Sequence, residues 1–543
     1  MKRLKRTGIV AFALSAVFAF FAFKTDYFEV AKQLEIYTSL FKELNMYYID
    51  EINPARLTER SIDNMLNDLD PYTRFYDEQQ VEEVKIISAG EYSGIGATTK
   101  YIGNKLTVLE LHKDMPADKA GLKVGDEIVK VDQITITEDN KKEISALLKG
   151  AENTEVNLQV KRQGKTMNFK VQREKIDIDP VPHYQMIDDK TGYISFIKFN
   201  TKASDAVKGA FLDLKSKGME QLILDLRGNP GGLLNEAIEI TNFFIPKGET
   251  VVTTRAKLKK WSENYRTRNE PIDLEIPIVI LIDGHSASAA EIVSGSLQDL
   301  DRAVILGERS FGKGLVQRYR NLPYGTKLKI TISKYYTPSG RNIQELDYTH
   351  RNGNEVPKFS SKQRAVFYTK NGRKVYGGGG IEPDVKIDKP EKTPSTEALL
   401  SSDAVFNFAT EYYYTHPKIA EPKDFVAGDS MYNEFIDYLE NHPDSFETHS
   451  EKVFKSGYKE AGKEEYANSV SGEYQELMKK IRKEKIKDLE KNKEEILGYL
   501  NNEILNRYFY KKGEYINHIY HSRYISEAQK VLNDQNRYQK ILH

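Results

Sequence analysis

The chain has 543 residues, which is enough for roughly three or four domains. Its 80 lysines and arginines are balanced by 80 aspartates and glutamates, so the formal net charge is zero and nothing in the charge indicates a nucleic-acid partner. The absence of cysteine excludes disulfides, thiolate metal sites, a cysteine nucleophile and a lipid-modified cysteine anchor.

The first 24 residues have the pattern of an export signal. Residues 1–6 carry four basic side chains, residues 8–23 are uncharged and mostly apolar, and Lys24 closes the run. The run is short of the ~20 residues that span a bilayer, and no small-x-small cleavage site ends it. We expect residues 1–24 to be a signal peptide or an uncleaved signal anchor. The rest of the chain is then exported and periplasmic, either soluble or attached to the inner membrane by this segment.

Residues 25–88 have a helical pattern. Apolar side chains recur at spacings of three and four between Tyr27 and Val84, and Asp70-Pro71 interrupts them after Leu69. This pattern predicts an N-terminal helical region that serves as a scaffold or a dimerisation arm, so we expect a homo-oligomer.

Two regions of different texture follow. Residues 89–175 contain short β-type runs, and residues 176–390 alternate strand and helix patterns as an α/β domain does. Apolar runs in the second region predict buried strands at Tyr193–Ile197, Gln221–Leu226, Ile278–Ile282 and Ala303–Gly307. The glycine-rich turn 227–232 precedes a predicted helix, but it lacks both common phosphate-binding patterns, so a phosphate site is a weak interpretation.

The stretch from Gly284 to Gln317 combines a serine-containing turn with a later lysine. A strand, a tight turn and a helix that opens on a serine present the hydroxyl at a sheet edge, where the first backbone N–H groups of the helix face its target. The Gly-x-Ser-x-Gly elbow of hydrolases is absent, because Ser288 stands where its last glycine would be. Ser286 is expected to be a helix N-cap.

A serine nucleophile needs a base, and two candidates are near. His285 is discounted because residues two or three apart across a turn seldom face each other, and no acid is evident to orient its imidazole. Lys313 lies on a glycine-flanked turn after a core strand. Apolar surroundings lower the pKa of a lysine from its ~10.4 reference, so a neutral amine there could deprotonate a serine.

These residues resemble the C-terminal processing peptidases, also called tail-specific proteases. The resemblance rests on Ser-Ala-Ser-Ala-x-Glu-Ile, then Gln-Asp, then Gly-Glu-x-x-x-Gly-Lys-Gly-x-Val-Gln, and it extends over roughly residues 40–390. It implies that Ser288 is the nucleophile, that Lys313 is the base and that Gln317 hydrogen-bonds the lysine. The chain has Ala290 where many members have a third serine, which is not a catalytic position of the family.

The same resemblance implies further site residues. Ala289 and either Gly231 or Gly232 would form the oxyanion hole with their backbone amides. Asp299 falls on an aspartate that is important in some members, but Gln298–Asp301 also resembles an ordinary helix end, so its role stays open between catalytic and structural.

Residues 89–175 resemble a PDZ domain. The resemblance rests on two segments, Tyr92–Gly96 and Met115–Asp132, and the second is the more specific of the two. A PDZ domain binds an extended peptide as an added strand, and the amides of a glycine-rich loop bind its terminal carboxylate. The resemblance assigns that loop to Gly94, Ile95 and Gly96, and a helix on the other wall of the groove to Asn140–Leu148.

The predicted fold is a multidomain α+β protein. A β-rich PDZ domain precedes a catalytic core of the crotonase and Clp-protease type, with helical regions at 25–88 and 391–543. The C-terminal region has a long charged helical pattern from Tyr474 to Leu505, and tyrosines crowd its end (Tyr508, Tyr510, Tyr515, Tyr520 and Tyr524). We expect it to pack on the protease or to mediate oligomerisation, and its function is not readable from the sequence.

The favoured function is a serine endopeptidase that acts on unfolded or tail-exposed proteins, with no metal and no cofactor. A regulatory adaptor protein is a further candidate partner. Two alternatives stay open: an exported PDZ adaptor with an inactive protease-like core, and a crotonase-like enzyme acting on acyl-CoA, which fits poorly with export and a PDZ domain.

Overall fold

The computed structural model describes residues 27–78, 80–81, 91–137, 140, 144, 147–350, 356–358 and 364–543. The predicted signal segment 1–24 lies outside these residues. In the part of the chain so described, no helix is both long enough and apolar enough to cross a bilayer. These described residues form two compact units, one of those up to Asp77 with Tyr319–Ile330, and the other of those in Glu78–Arg318 with Thr331–His543.

The first unit contains two helices and a short strand: α1 (27–47), α2 (Pro54–Asn67) and β1 (Arg74–Tyr76). Asn53 caps α2 by accepting the Arg56 amide, and Pro54 occupies its first turn, where a missing N–H costs nothing. The Asp70 carboxylate then accepts the amides at 72 and 73 and turns the chain into β1. The prediction of helix as far as Val84 was therefore wrong at β1, which pairs with residues 327–329.

The second unit begins with a β-rich domain in the region that resembles PDZ domains. Its elements are β2 (Glu91–Gly94), β3 (Ala97–Ile102), β4 (Lys105–Leu111), α3 (Pro116–Lys119), β5 (Glu127–Val131), β6 (Ile134–Thr135), β7 (Glu155–Arg162), β8 (Lys165–Gln172) and β9 (Glu174–Asp177). The main sheet has the order β3-β4-β5-β7-β8, so β3 lies at one edge, while β2 pairs with β9. Most of the helix expected at Asn140–Leu148 lies outside the described residues.

The α/β region follows, and it contains a six-stranded, mostly parallel sheet. Its elements are β10 (His183–Met186), β11 (Thr191–Ser195), α4 (Ala203–Ser216), β12 (Gln221–Asp225), α5 (Leu234–Asn242), β13 (Thr250–Ala256), β14 (Asn264–Arg266), β15 (Ile278–Ile282), α6 (Ala289–Asp299), β16 (Val304–Gly307), β17 (Leu315–Asn321), β18 (Lys327–Tyr336), β19 (Val366–Tyr368), β20 (Lys374–Tyr376) and β21 (Val385–Lys386). The sheet order is β10-β11-β12-β15-β16-β21, and only β10 is antiparallel to its neighbour.

The central strands are buried on both faces, as strands of a parallel sheet are. Successive side chains point to opposite faces, so Leu222, Leu224 and Ile280 pack with the helices α4–α6 in one core. Ile223 and Val279 belong to a second core on the other face.

The C-terminal region supplies the cover for that second face. Its helices are α7 (Pro394–Leu400), α8 (Ala404–Thr415), α9 (Asp429–Asn441), α10 (His449–Lys463), α11 (Ala467–Asp488), α12 (Lys493–His521), α13 (Arg523–Asn533) and α14 (Gln535–Leu542). Ile525, Val531 and Leu542 pack on the sheet, so the prediction that this region packs on the protease core is confirmed. The single helical pattern predicted for Tyr474–Leu505 is instead two helices joined by a 3₁₀ turn at Leu489–Asn492.

The parallel arrangement places three connecting turns at one edge of the sheet. β12, β15 and β16 are adjacent and parallel, so the turns that leave their carboxyl ends are neighbours. These turns carry the glycine-rich stretch 227–232, Ser288 and Lys313, which is where α/β folds place their sites.

Removing part of the outer core should destabilise the α/β domain. Ile525 is fully buried against the sheet, so Ile525→Ala should lower its free energy of unfolding by about 2–5 kcal/mol. Trp261 is the only tryptophan of the chain and lies in this region, so its fluorescence can follow the transition.

Val453→Ala is the control, because this side chain is 53% exposed on α10 and the change should stay within about 0.5 kcal/mol. An Ile525→Ala protein as stable as the wild type would show that α13 does not contribute to the core.

Candidate active site

Ser288 lies at the junction of β15 and α6 in a strained backbone conformation. It is the N-cap residue of α6, with φ 57° and ψ −112°, and α6 begins at Ala289. A non-glycine residue with this conformation costs about 1–3 kcal/mol and persists only where its surroundings impose it. The chain therefore has the strand–turn–helix geometry of a nucleophile elbow without the Gly-x-Ser-x-Gly sequence.

Ser286 was predicted to be the N-cap of this helix, but the N-cap is Ser288. The Ser286 hydroxyl is buried and donates to the Leu226 carbonyl oxygen at 2.8 Å. The next amide, that of Ala287, donates to the Asn229 carbonyl oxygen at 2.9 Å. These bonds join the serine turn to the turn that follows β12. His285 is exposed on the same turn.

The Glu291 carboxylate connects the serine turn to the lysine turn. Its Oε2 accepts the backbone amides of Ser288 at 2.8 Å and Lys313 at 2.9 Å. Its Oε1 accepts the Gly312 amide at 2.7 Å and the Ser310 hydroxyl at 2.6 Å. Because two amides share one oxygen, the backbone nitrogens of Ser288 and Lys313 are within about 6 Å of each other.

Glu291 is completely buried, and this affects its ionisation. Burial raises the pKa of its carboxyl to about 7, against the opposite effect of the four hydrogen bonds that it accepts. The group that holds the two turns together therefore titrates near neutral pH.

Tyr335 makes a second connection between the same two turns. Its hydroxyl donates to the Lys313 carbonyl oxygen at 2.6 Å and lies 3.3 Å from the Ser288 carbonyl oxygen. Lys313 itself is half-buried, and the following Gly314 amide donates to the Gln344 side chain at 2.8 Å. The backbone on both sides of the Lys313 side chain is thus fixed by hydrogen bonds.

In the turn after β12, Gly231 lies against the serine turn and Gly232 lies against Phe199. A Cβ on Gly231 would be 2.5 Å from the Ala287 oxygen and 2.7 Å from the Ala289 nitrogen, and one on Gly232 would be 2.1 Å from the Phe199 oxygen. Gly231 donates its amide to the Asn229 side chain at 2.9 Å. The close approach requires glycine at both positions, and it brings Gly231, Ser288 and Ala289 together.

Gln317 and Asp299 make contacts with a neighbouring strand and a neighbouring loop. Gln317 lies on β17, four residues after Lys313. Its side-chain amide donates to the Thr331 hydroxyl on β18 at 3.2 Å. Asp299 ends α6, where its buried carboxylate pairs with Arg341 at 2.7 Å and accepts the Ser339 amide at 3.0 Å. These contacts of Asp299 hold the 337–341 loop.

The predicted peptide-binding loop lies at the start of β3. The Ile95 carbonyl oxygen accepts the Ala117 amide at 2.8 Å, and the Gly96 carbonyl oxygen accepts the His112 amide at 3.1 Å. Gly96 has φ 70°, and a Cβ there would be 2.5 Å from the Met115 Cβ. The loop backbone is therefore held beside an edge strand, to which an extended peptide can be added.

Two residues of this site were missed in the sequence. Glu291 lies three positions after Ser288, which is the signature of a capping box at a helix start, but its bonds to residues 310–313 depend on the tertiary fold. Tyr335 carries no local signal. In the ranges for which coordinates are described, no three His, Asp or Glu side chains are grouped as metal ligands would be.

Three family models match the chain. Peptidase family S41 matches residues 190–349, the PDZ domain matches 93–172, and the C-terminal helical domain of probable PDZ-proteases matches 395–532. The resemblance to such proteases therefore continues beyond residue 390, which was the end of the resemblance recognised from the sequence motifs.

Curated relatives agree with these matches. The carboxy-terminal-processing protease of Bartonella bacilliformis is 35% identical over 59% of this chain and 74% of its own length. A probable CtpA-like serine protease of Staphylococcus aureus is 33% identical over 68% of this chain and 69% of its own length. Among solved structures, the photosystem II D1 C-terminal processing protease is 25% identical, with a TM-score of 0.37, over 65% of this chain and 92% of that one.

The residues matched by the PDZ and S41 models include most of the PDZ domain, the central strands of the six-stranded sheet and the turn with Ser288. The order of domains, with PDZ before the catalytic core and a helical region after it, is as the sequence predicted. The chain belongs to peptidase family S41, as a carboxy-terminal-processing serine protease with a PDZ domain.

Proposed function

We propose that this protease cleaves peptide bonds with Ser288 as nucleophile and Lys313 as general base. The observation that carries the proposal is the shared Glu291 oxygen, which fixes the backbones of both residues side by side. The Tyr335 hydroxyl supports the same proposal, because it contacts the backbone carbonyl oxygens of both Ser288 and Lys313.

The chemistry follows from these positions. A neutral Lys313 amine takes the proton of the Ser288 hydroxyl as its oxygen attacks the substrate carbonyl carbon. Lys313 then gives this proton to the leaving amine, and the carbonyl reforms as an acyl-enzyme. Water then attacks that ester while Lys313 accepts a proton from it. Lys313 returns this proton to the Ser288 oxygen as the acyl bond breaks, which releases the new carboxyl terminus and regenerates the serine hydroxyl.

The negative oxygen of each tetrahedral intermediate needs backbone donors. Ala289 is the first residue of α6, where an amide has no partner within its own helix. We assign it one donor role and assign the second to Gly231 or Gly232. Gly232 is favoured, because the Gly231 amide already donates to Asn229.

We further propose that the PDZ domain binds the C-terminal tail of a substrate protein. The tail would extend the sheet at β3, and the loop formed by Gly94, Ile95 and Gly96 would bind its carboxylate. The position of β3 at the sheet edge supports this proposal. Binding of the tail would bring an unfolded protein to the catalytic turns and would give the enzyme a preference for chain ends.

Ser288→Ala and Lys313→Met should each remove cleavage of an unfolded protein with an apolar C-terminus. The expected loss in kcat is roughly 10⁴-fold or more, because nucleophile and base act as one unit. Mass spectrometry of the fragments gives the rates and the cut sites, and a fluorophosphonate probe should label wild-type Ser288.

The matched control is Ser294→Ala, which removes a buried hydroxyl from the same helix, where it donates to the Ala290 carbonyl oxygen. This variant should keep its kcat. Undiminished cleavage by Ser288→Ala or Lys313→Met would refute the assignment, and a wild type that neither cleaves nor labels would favour a PDZ adaptor.

Glu291→Gln should reduce kcat by about 10–100-fold, because an amide nitrogen would face backbone N–H donors and lose bonds worth about 1–3 kcal/mol. The pH dependence of stability gives a second readout. The folded-state pKa of Glu291, about 7, lies above the unfolded value of 4.5. The stabilisation from its proton is therefore complete below pH 4.5 and is lost as the pH rises through 7. Relative to Glu291→Gln, the wild type should become less stable over this range.

Glu451→Gln is the control, since Glu451 is also a buried capping-box residue, three positions after Thr448 at the start of α10. It should lower stability with kcat unchanged. If Glu291→Gln kept full kcat, the link between the two turns would not matter for catalysis.

Amidation of the substrate's C-terminus should raise KM by about 10-fold, the effect of losing one charge-assisted contact, and leave kcat nearly constant. Gly96→Ala, which places a Cβ against Met115, should raise KM for the substrate with a free carboxylate. It should cause no further rise in KM for the amidated substrate.

Gly164→Ala tests the same left-handed backbone strain on the β7–β8 hairpin, where a Cβ meets nothing within 4 Å, and it should not change KM. Equal KM values for the free acid and the amide in the wild type would contradict capture of the tail carboxylate.

A further inference from the structure

Tyr524 lies behind the catalytic turns, at the start of α13. Its side chain is buried in the outer core of the sheet with residues of β12, β15 and β16. It reaches this position because α12 ends at His521 and the chain turns at Ser522 into α13. The C-terminal region thereby places an aromatic ring below the edge that carries the site.

One face of the ring contacts the turn after β12. The Arg227 guanidinium lies 4.7 Å from the ring centroid, and its Nη1 is 3.4 Å from the Ser522 hydroxyl. Arg227 also binds the Asp225 carboxylate through two nitrogens, at 2.9 and 2.5 Å. Arg227 opens the turn that continues to Gly231 and Gly232, so its position affects the predicted oxyanion donors.

The hydroxyl of the same residue contacts the turn after β16. It donates to Glu308 Oε1, an oxygen that also pairs with Lys389 at 2.6 Å. Glu308 is the first residue after β16, and its amide donates to the Ile282 carbonyl oxygen at 3.0 Å. Two residues later, the Ser310 hydroxyl donates to the Glu291 carboxylate, which also accepts the Lys313 amide. Glu308 is thus connected to the lysine turn.

We propose that Tyr524 is a positioning residue of the active site, which sets the oxyanion turn through Arg227 and the lysine turn through Glu308. The C-terminal helices are then part of the catalytic unit and not only an appendage. Because Tyr524 is buried in the outer core of the sheet, its effect falls on the geometry of the turns. This inference rests on the proposed function of Ser288 and Lys313.

The test compares Tyr524→Phe, Tyr524→Leu and Tyr538→Phe in the full-length chain. Tyr524→Phe loses the bond to Glu308 and keeps the ring below Arg227, and Tyr524→Leu loses both. Tyr538 is the matched control, because it is buried in the same core and its hydroxyl bonds the Ile278 backbone at the opposite end of β15.

We expect kcat to fall about 5-fold in Tyr524→Phe and about 50-fold in Tyr524→Leu, with KM within twofold, as small misplacements of catalytic groups produce. The rate at which a fluorophosphonate labels Ser288 should fall in parallel. Tyr538→Phe should melt at a lower temperature but label at the wild-type rate. If Tyr524→Leu does not fold, Tyr524→Phe carries the test.

Wild-type labelling rates and kcat in the folded Tyr524 variants would overturn the inference and leave a structural role. Equal losses in Tyr538→Phe would also overturn it, since they would show a general effect of the core. A wild type that neither cleaves nor labels would instead refute the proposed function, so the two failures are distinguishable.

Discussion

The active-site architecture depends on one buried carboxylate. Glu291 accepts four hydrogen bonds from two separate turns, and these bonds offset the cost of placing an acidic group in the core. One of these bonds holds the amide of Ser288, whose positive φ is unfavourable for a non-glycine residue and persists only where the surroundings hold it. The serine turn and the lysine turn thus have a common anchor, and neither can shift without disturbing the other.

A second constraint is that a parallel sheet must be covered on both faces. The helices of the catalytic region cover one face, and α13 and α14 cover the other. This explains why a helical region at the end of the chain belongs to the protease core. Another helix of the same region reaches the PDZ domain, because the Tyr510 hydroxyl on α12 donates to Asp118 on α3 at 2.6 Å. One helical region therefore contacts both the peptide-binding domain and the catalytic sheet.

Much of the catalytic domain could be predicted from the sequence, because buried parallel strands are continuous apolar runs. The strands at Gln221, Ile278 and Val304 begin within one residue of their predicted positions. The backbone of Ser288 could not be predicted, since no glycine marks it, and Ser286 was wrongly expected to be the cap. Local sequence does not encode which distant donors a carboxylate will meet, so the role of Glu291 was missed.

The C-terminal region shows the same limit. Its helical character was predicted from periodicity but its individual helices were not, and the surface on which an amphipathic helix packs is set by the rest of the fold. Tyr524 was one of several tyrosines near the end of the chain, and only the three-dimensional arrangement distinguishes it by its contacts with Arg227 and Glu308.

The most direct test of the central claim is a crystal structure of the wild-type protein after reaction with a peptide phosphonate. The account predicts a covalent adduct on Ser288, with the Lys313 Nζ within about 3 Å of the Ser288 Oγ and the phosphonyl oxygen facing the amides of Ala289 and Gly231 or Gly232. An adduct on another residue, or a Lys313 amine directed away from Ser288 while Glu291 keeps its four bonds, would contradict it.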